Sequence, residues 1–195
     1  MSWTYRTDPS GWQTRWSDET SARWLSEGHW RPETLVDFAR AAAAAEPAAT
    51  MLIEGEHRLT RGACWDQALR LAAWFLSRGL KPGDVVSFQL PNWAETAVIA
   101  LAARMCGLVI NPIPPIYREA ELGYILADCG AKLIFVPGTF RKHDHVAMIE
   151  ALRDDARGAG DDDVAIFGFF HDRAFANGIG GEDRHLWSVD QWRGE

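Results

Sequence analysis

Residues 80–118, LKPGDVVSFQLPNWAETAVIALAARMCGLVINPIPPIYR, decide the fold. Lys81-Pro82-Gly83-Asp84 has the order of a tight turn, in which proline presets φ and the following glycine accepts a positive φ. Val85-Val86-Ser87-Phe88 is a β-branched and aromatic run of strand length. Asn92 is placed to cap the next helix with its side-chain oxygen, and Glu95 stands where a capping-box acid reaches back. Val98, Leu101, Ala102 and Met105 recur at helical spacing, and Gly107 ends that helix. Leu108-Val109-Ile110 is a second apolar run, suited to a parallel strand covered on both faces. The segment is therefore one βαβ unit, with a right-handed crossover.

The same rhythm runs outward in both directions. Downstream, Leu122, Ile125, Leu126 and Cys129 mark a helix with Glu119 and Glu121 at its start and Gly130 at its end. Leu133-Ile134-Phe135-Val136 is the next strand, closed by Pro137-Gly138, and Asp144 caps a helix carrying Met148, Ile149 and Leu152. Val164-Ala165-Ile166-Phe167 would be a further strand. Upstream, Met51-Leu52-Ile53 and His57-Arg58-Leu59 flank Glu54-Gly55-Glu56 as a hairpin. Thr60 then caps a long helix through Leu69, Ala72, Ala73 and Leu76. Strands alternating with helices predict an α/β fold with a parallel, doubly wound sheet. Residues 1–30 form a tryptophan-rich arm, 31–157 the α/β subdomain, and 158–195 a linker and the start of a following segment.

The ordered series Leu59-Thr60, Leu80 to Asp84, Leu90-Pro91-Asn92, Asn111-Pro112, Glu121-Leu122, Tyr124-Ile125-Leu126 and Gly130-Ala131-Lys132 resembles the N-terminal part of AMP-forming acyl-CoA synthetases, within the adenylate-forming superfamily. Ser87 to Trp93, Ile116-Tyr117-Arg118-Glu119, Thr139-Phe140-Arg141, Gly28-His29-Trp30 and Thr34-Leu35 are similar to its cyclohexanecarboxylate and medium-chain-acid–CoA ligase branch. No single motif is diagnostic; their order is. The resemblance covers residues 24–153, about two-thirds of the chain. It implies an ATP- and Mg²⁺-dependent acid–thiol ligase. Such an enzyme forms an acyl-adenylate from a fatty, cyclic or aromatic carboxylic acid, and then a thioester with coenzyme A.

That chemistry needs a nest of backbone N–H groups, a lysine on the phosphates and a bridging metal. In the family the nest is a Ser/Thr/Gly-rich loop ending in Pro-Lys-Gly, and a mobile C-terminal domain supplies a second lysine. Here the lysines are Lys81, Lys132 and Lys142, and none follows such a loop. Gly178-Ile179-Gly180-Gly181 is followed by Glu182 and Asp183, whose charge opposes phosphate, so it reads as a surface turn. The chain reads as the front piece of a ligase, catalytically incomplete alone. No catalytic, cofactor-binding or metal-ligating residue is assigned to it; ATP, Mg²⁺ and coenzyme A belong to the complete enzyme.

Other candidate residues have plainer readings. In His143-Asp144-His145 the aspartate is occupied as a helix cap, and no further Cys/His cluster lies nearby for a metal. Asp161-Asp162-Asp163 is a solvated linker. Cys106 and Cys129 fall on apolar helix faces, without the activating charge a nucleophile needs. Arg104 is out of register with the basic residue that approaches coenzyme A in some relatives, and reads as solvent-facing. Pro91-Asn92 and the Asn111–Tyr117 loop sit at strand carboxyl ends, where open α/β sheets place ligands. Trp3, Trp12, Trp16, Trp24 and Trp30 crowd the N-terminal arm, Trp12 and Trp16 one helical turn apart, and staple it over the domain or await a partner.

A net charge of −7 disfavours nucleic acid and anionic membrane surfaces as partners. No signal peptide or membrane span is evident, because Arg104 breaks the best apolar run. The 3 cysteines lack C-x-x-C spacing and suit reduced core thiols, so the expected location is the cytoplasm. Two other classes share this pattern. One is a non-catalytic interaction module, a split-enzyme half that docks with a C-terminal partner chain carrying the phosphate loop, or a homo-oligomer. The other is an unrelated doubly wound nucleotide-binding protein.

Overall fold

The computed structural model describes residues 17–158 and, ahead of them, the paired dipeptides Arg6–Thr7 (β1) and Gln13–Thr14 (β2). Asp18–Ser26 (α1) and Leu35–Ala45 (α2) lead to a hairpin of Thr50–Glu54 (β3) and His57–Thr60 (β4). Arg61–Ser77 (α3), Val85–Phe88 (β5), Ala94–Met105 (α4), Val109–Pro112 (β6), Glu119–Asp128 (α5) and Ala131–Phe135 (β7) follow. A small hairpin of Thr139–Phe140 (β8) and His143–Asp144 (β9) then enters the helix His145–Gly158 (α6).

The expected α/β unit is present. β5 lies between β6 and β7 and is parallel to both, so the order is β6-β5-β7. Alternation along the strands divides the core into two layers. Val86 and Phe88 of β5 and Leu133 and Phe135 of β7 pack with α3 and α4. Ala131, Ile134 and Val136 pack with Leu122 and Leu126 of α5 and Met148 and Ile149 of α6. A register shift opposite Val85 and Val86 absorbs Lys132, which returns Ala131 to the α5 side.

Turn and cap chemistry accounts for most boundaries. Asp84 N–H donates to Lys81 O at 3.0 Å with Gly83 at φ +93°, as the turn requires. The Thr60 hydroxyl accepts Ala63 N–H, and Asp144 Oδ1 accepts the N–H groups of Val146 and Ala147. Glu121 accepts Arg118 N–H at the head of α5.

Three expectations need correction. Asn92 does not cap α4, and the capping box expected with Glu95 does not form there: Trp93 N–H folds back on Pro91 O at 2.7 Å, turning Asn92 out to solvent, and the helix starts after Trp93. Its first N–H, from Ala94, is taken instead by Glu54 Oε2 at 2.8 Å, a cap arriving from the β3–β4 hairpin. The buried face of α3 is Cys64, Ala68, Leu71, Ala72 and Phe75, whereas Leu69 and Leu76 are exposed; Phe75 turns the helix so that its ring meets Phe135 at 6.1 Å.

The α2 helix was not anticipated, although Thr34 and Asp37 form a reciprocal capping box before its alanine run. Trp24 and Trp30 meet edge to face at 4.6 Å. Trp3, Trp12, Trp16, the triple aspartate 161–163, the 164–167 strand and the Gly178–Gly181 cluster lie outside the described residues.

Candidate functional site

The chain leaves β5 through α4 to reach β6 on one side, then crosses back through α5 to β7 on the other. α4 and α5 cover opposite faces of the sheet. The carboxyl ends of β5 and β7 are therefore a topological switch point, the crevice in which open α/β sheets bind ligands.

Gln89, the residue after β5, is fully buried there. Its N–H donates to Phe135 O at 2.8 Å, bridging the two strands at the switch point. Its side-chain Nε2 donates to Pro114 O at 3.1 Å and Tyr117 O at 2.9 Å, pinning the loop after β6. Its Oε1 faces His145 Nδ1 at 3.3 Å. His145 is likewise fully buried, its backbone N–H donates to Gly138 O, and its Nε2 has no hydrogen-bond partner. Burial, helped by His143 and Arg118 and opposed by Asp144, lowers its pKa to about 4 from an ordinary 6.5, so it is neutral at pH 7.

Around this buried pair the rim is cationic and aromatic. Arg118 Nη1 donates to Pro115 O and Tyr117 O. Phe140 meets Trp93 edge to face at 6.0 Å, with the Arg141 guanidinium 5.3 Å from the Phe140 ring centroid. Arg141 and Lys142 turn the β8–β9 hairpin at φ +48° and +67°, and neither makes an ion pair among the described residues. Beside the loop, Tyr117, Ala120, Glu121, Tyr124 and Ile125 line an open hollow of about 430 Å³.

Pro91-Asn92 and the Asn111–Tyr117 loop do lie at this edge. Asn111, however, turns inward and donates to Ser87 Oγ at 3.1 Å and Cys129 Sγ at 3.4 Å. In His143-Asp144-His145 the imidazoles meet edge to face at 4.8 Å, and His143 Nε2 lies 3.4 Å from Met148 Sδ. Among the described residues no group of three or more His, Cys, Asp or Glu could hold a metal ion. Arg104 is exposed and donates to Ala100 O within its own helix. The buried Cys64 and Cys106 have thiol pKa values raised by burial, the opposite of an activated nucleophile. Sequence reasoning missed Gln89 and His145 as a pair. The signal was a glutamine set directly after an apolar strand, but its partner is 56 residues away.

A parallel sheet covered by helices on both faces, with a crevice at its switch point, defines a class, the open α/β proteins. Comparison gives the family: AMP-binding enzymes match over residues 38–172, and the chain belongs to that family. It is 33% identical over 139 residues to the medium-chain fatty-acid–CoA ligase of Escherichia coli, covering 71% of this chain and 25% of that protein. Among solved structures, apo MbtA of Mycobacterium smegmatis superposes with a TM-score of 0.61 at 30% identity, over 75% of this chain and 26% of that one. The N-terminal subdomain of Klebsiella oxytoca NpsA, in complex with anthranilyl-AMSN, has a TM-score of 0.51 at 23% identity, over 54% and 28%, and shares the fold. The chain thus spans about a quarter of the length of the curated relatives it matches. No helix among the described residues is long and apolar enough to cross a membrane.

Proposed function

We propose that this chain forms the first α/β subdomain of an acid–CoA ligase. The complete enzyme joins a carboxylate to ATP, releasing pyrophosphate and forming an acyl-adenylate. The thiol of coenzyme A then displaces AMP and leaves a thioester. The 33% identity to a fatty-acid–CoA ligase over 139 residues, 71% of this chain, carries this reading. The rim supports it: Tyr117 and Tyr124 offer faces to a ring, and Arg141 and Lys142 offer charge to phosphates, which suits the nucleotide end of coenzyme A.

The residues present do not fit a Mg²⁺–triphosphate group. No acidic cluster among the described residues is built for the metal. Lys81 lies on an exposed turn, Lys132 sits at a strand irregularity and Lys142 turns a hairpin, so none heads a glycine-rich loop. Our reading is that the purified chain is inactive by itself. Supplied with ATP, Mg²⁺ and medium-chain or aromatic acids, it gives no acid-dependent ATP–pyrophosphate exchange. Exchange above the no-acid background overturns the reading.

A further inference from the structure

We propose that His145 is a positioning residue that acts through Gln89 to hold the Pro114–Arg118 loop against the switch point, with its imidazole fixed in the Nδ1–H tautomer. The inference goes beyond the ligase reading and does not depend on it. It starts from a shortage of donors. Pro112, Pro114 and Pro115 have no N–H, so the loop has few backbone donors for its own carbonyls. Apart from the Tyr117 N–H to Pro114 O turn bond, the donors come from side chains, Gln89 to Pro114 O and Tyr117 O and Arg118 to Pro115 O and Tyr117 O.

Two carbonyls fix which way the Gln89 amide points. Its NH₂ faces the loop, so its Oε1 faces His145 Nδ1 at 3.3 Å. An oxygen opposite a ring nitrogen requires that nitrogen to carry the proton. Nε2 is then a bare acceptor, and it is the atom buried without a partner. An imidazole with an orphaned nitrogen costs free energy that a leucine of similar volume would not. What it supplies in return is one directed N–H at the amide that orders the loop.

Protonating Nε2 would place a cation in a fully buried site, with the His143 ring 4.8 Å away and Arg118 repelling it from the head of α5. Only Asp144 favours the charge, and its Oδ1 is engaged by the first N–H groups of α6. The latch is therefore the neutral ring.

The test uses the full ¹⁵N-labelled chain. Long-range ¹H–¹⁵N correlation shows His145 protonated at Nδ1 and bare at Nε2 from about pH 5 to pH 8. An Nε2–H tautomer, or titration near the ordinary histidine value with Tyr117 and Arg118 amides unmoved, overturns the proposal. Hydrogen exchange then separates positioning from space-filling. His145→Leu keeps volume but loses the donor, and speeds exchange at Tyr117 and Arg118 about tenfold while β5 amides keep their protection. His145→Gln restores a donor and brings both amides back. A merely structural role gives the reverse ranking, Leu tolerated and Gln not, and also overturns it. If His145→Leu does not fold, the tautomer in the unmodified chain decides.

Discussion

At the amino-terminal end of the parallel sheet the chain turns on Pro82, Gly83 and Gly107; at the carboxyl-terminal end it turns on Gln89, Arg118 and His145. The first end is closed by backbone geometry. Gly83 N–H donates to Gly107 O at 3.0 Å, Val109 N–H donates to Asp84 O, and Gly107 lies so close to Pro82 that an added Cβ would meet the proline Cβ at 3.2 Å. The second end is closed by buried side-chain amides, an imidazole and a guanidinium reaching between strands. Left-handed backbone follows the same split. Glycine takes it at the first end, while Arg141 and Lys142 take it at the second, where strain sits beside the proposed ligand edge. A sheet end that only has to turn can use the cheapest residues for turning; an end that presents a surface must hold side chains in place.

The largest effect expected from breaking this contrast is at the amino-terminal end. Gly107→Ala meets both a φ of +68° and the Pro82 contact, and is expected to lower stability by about 2 kcal/mol in urea unfolding. At the other end the lever is acid. The folded His145 titrates near 4 and the unfolded one near 6.5, so the unfolded chain binds the proton first as pH falls. Stability from this group is complete above about pH 6.5 and is lost on the way down to about pH 4. Between about pH 7.5 and 5.5 the loss is about 1 kcal/mol, and a His145→Gln protein lacks that slope in paired urea titrations. The smallest effect has the opposite sign. Lys142→Gly relieves a left-handed lysine and is expected to raise the urea midpoint, by about 0.5 kcal/mol in stability.

The same contrast explains what could be read from residues alone. The Lys81–Asp84 turn, the Thr60 and Asp144 caps, the Gly107 and Gly130 stops and the strands of β5, β6 and β7 are local, each decided within a few positions. The α4 cap was misread because local chemistry offered Asn92 while the fold supplied Glu54 from 40 residues upstream. The face of α3 was misread because leucines at helical spacing outweighed Cys64 and Phe75, and only the position of Phe135 across the layer chooses between them. Gln89 and His145 escaped for the same reason. A buried polar pair 56 residues apart leaves no periodicity, only a polar residue where an apolar one was expected.

The carboxylate that Glu54 lends to α4 has a practical consequence for anyone dissecting this molecule. The β3–β4 hairpin looks like a peripheral ribbon, yet it neutralises the positive pole of the helix that joins the central strand β5 to its neighbour β6. Trimming the polypeptide behind residue 60 would leave every strand of the central sheet intact on paper and strip the crossover of its anchor. A piece that begins ahead of Thr50 keeps that carboxylate, and one that begins after Thr60 does not.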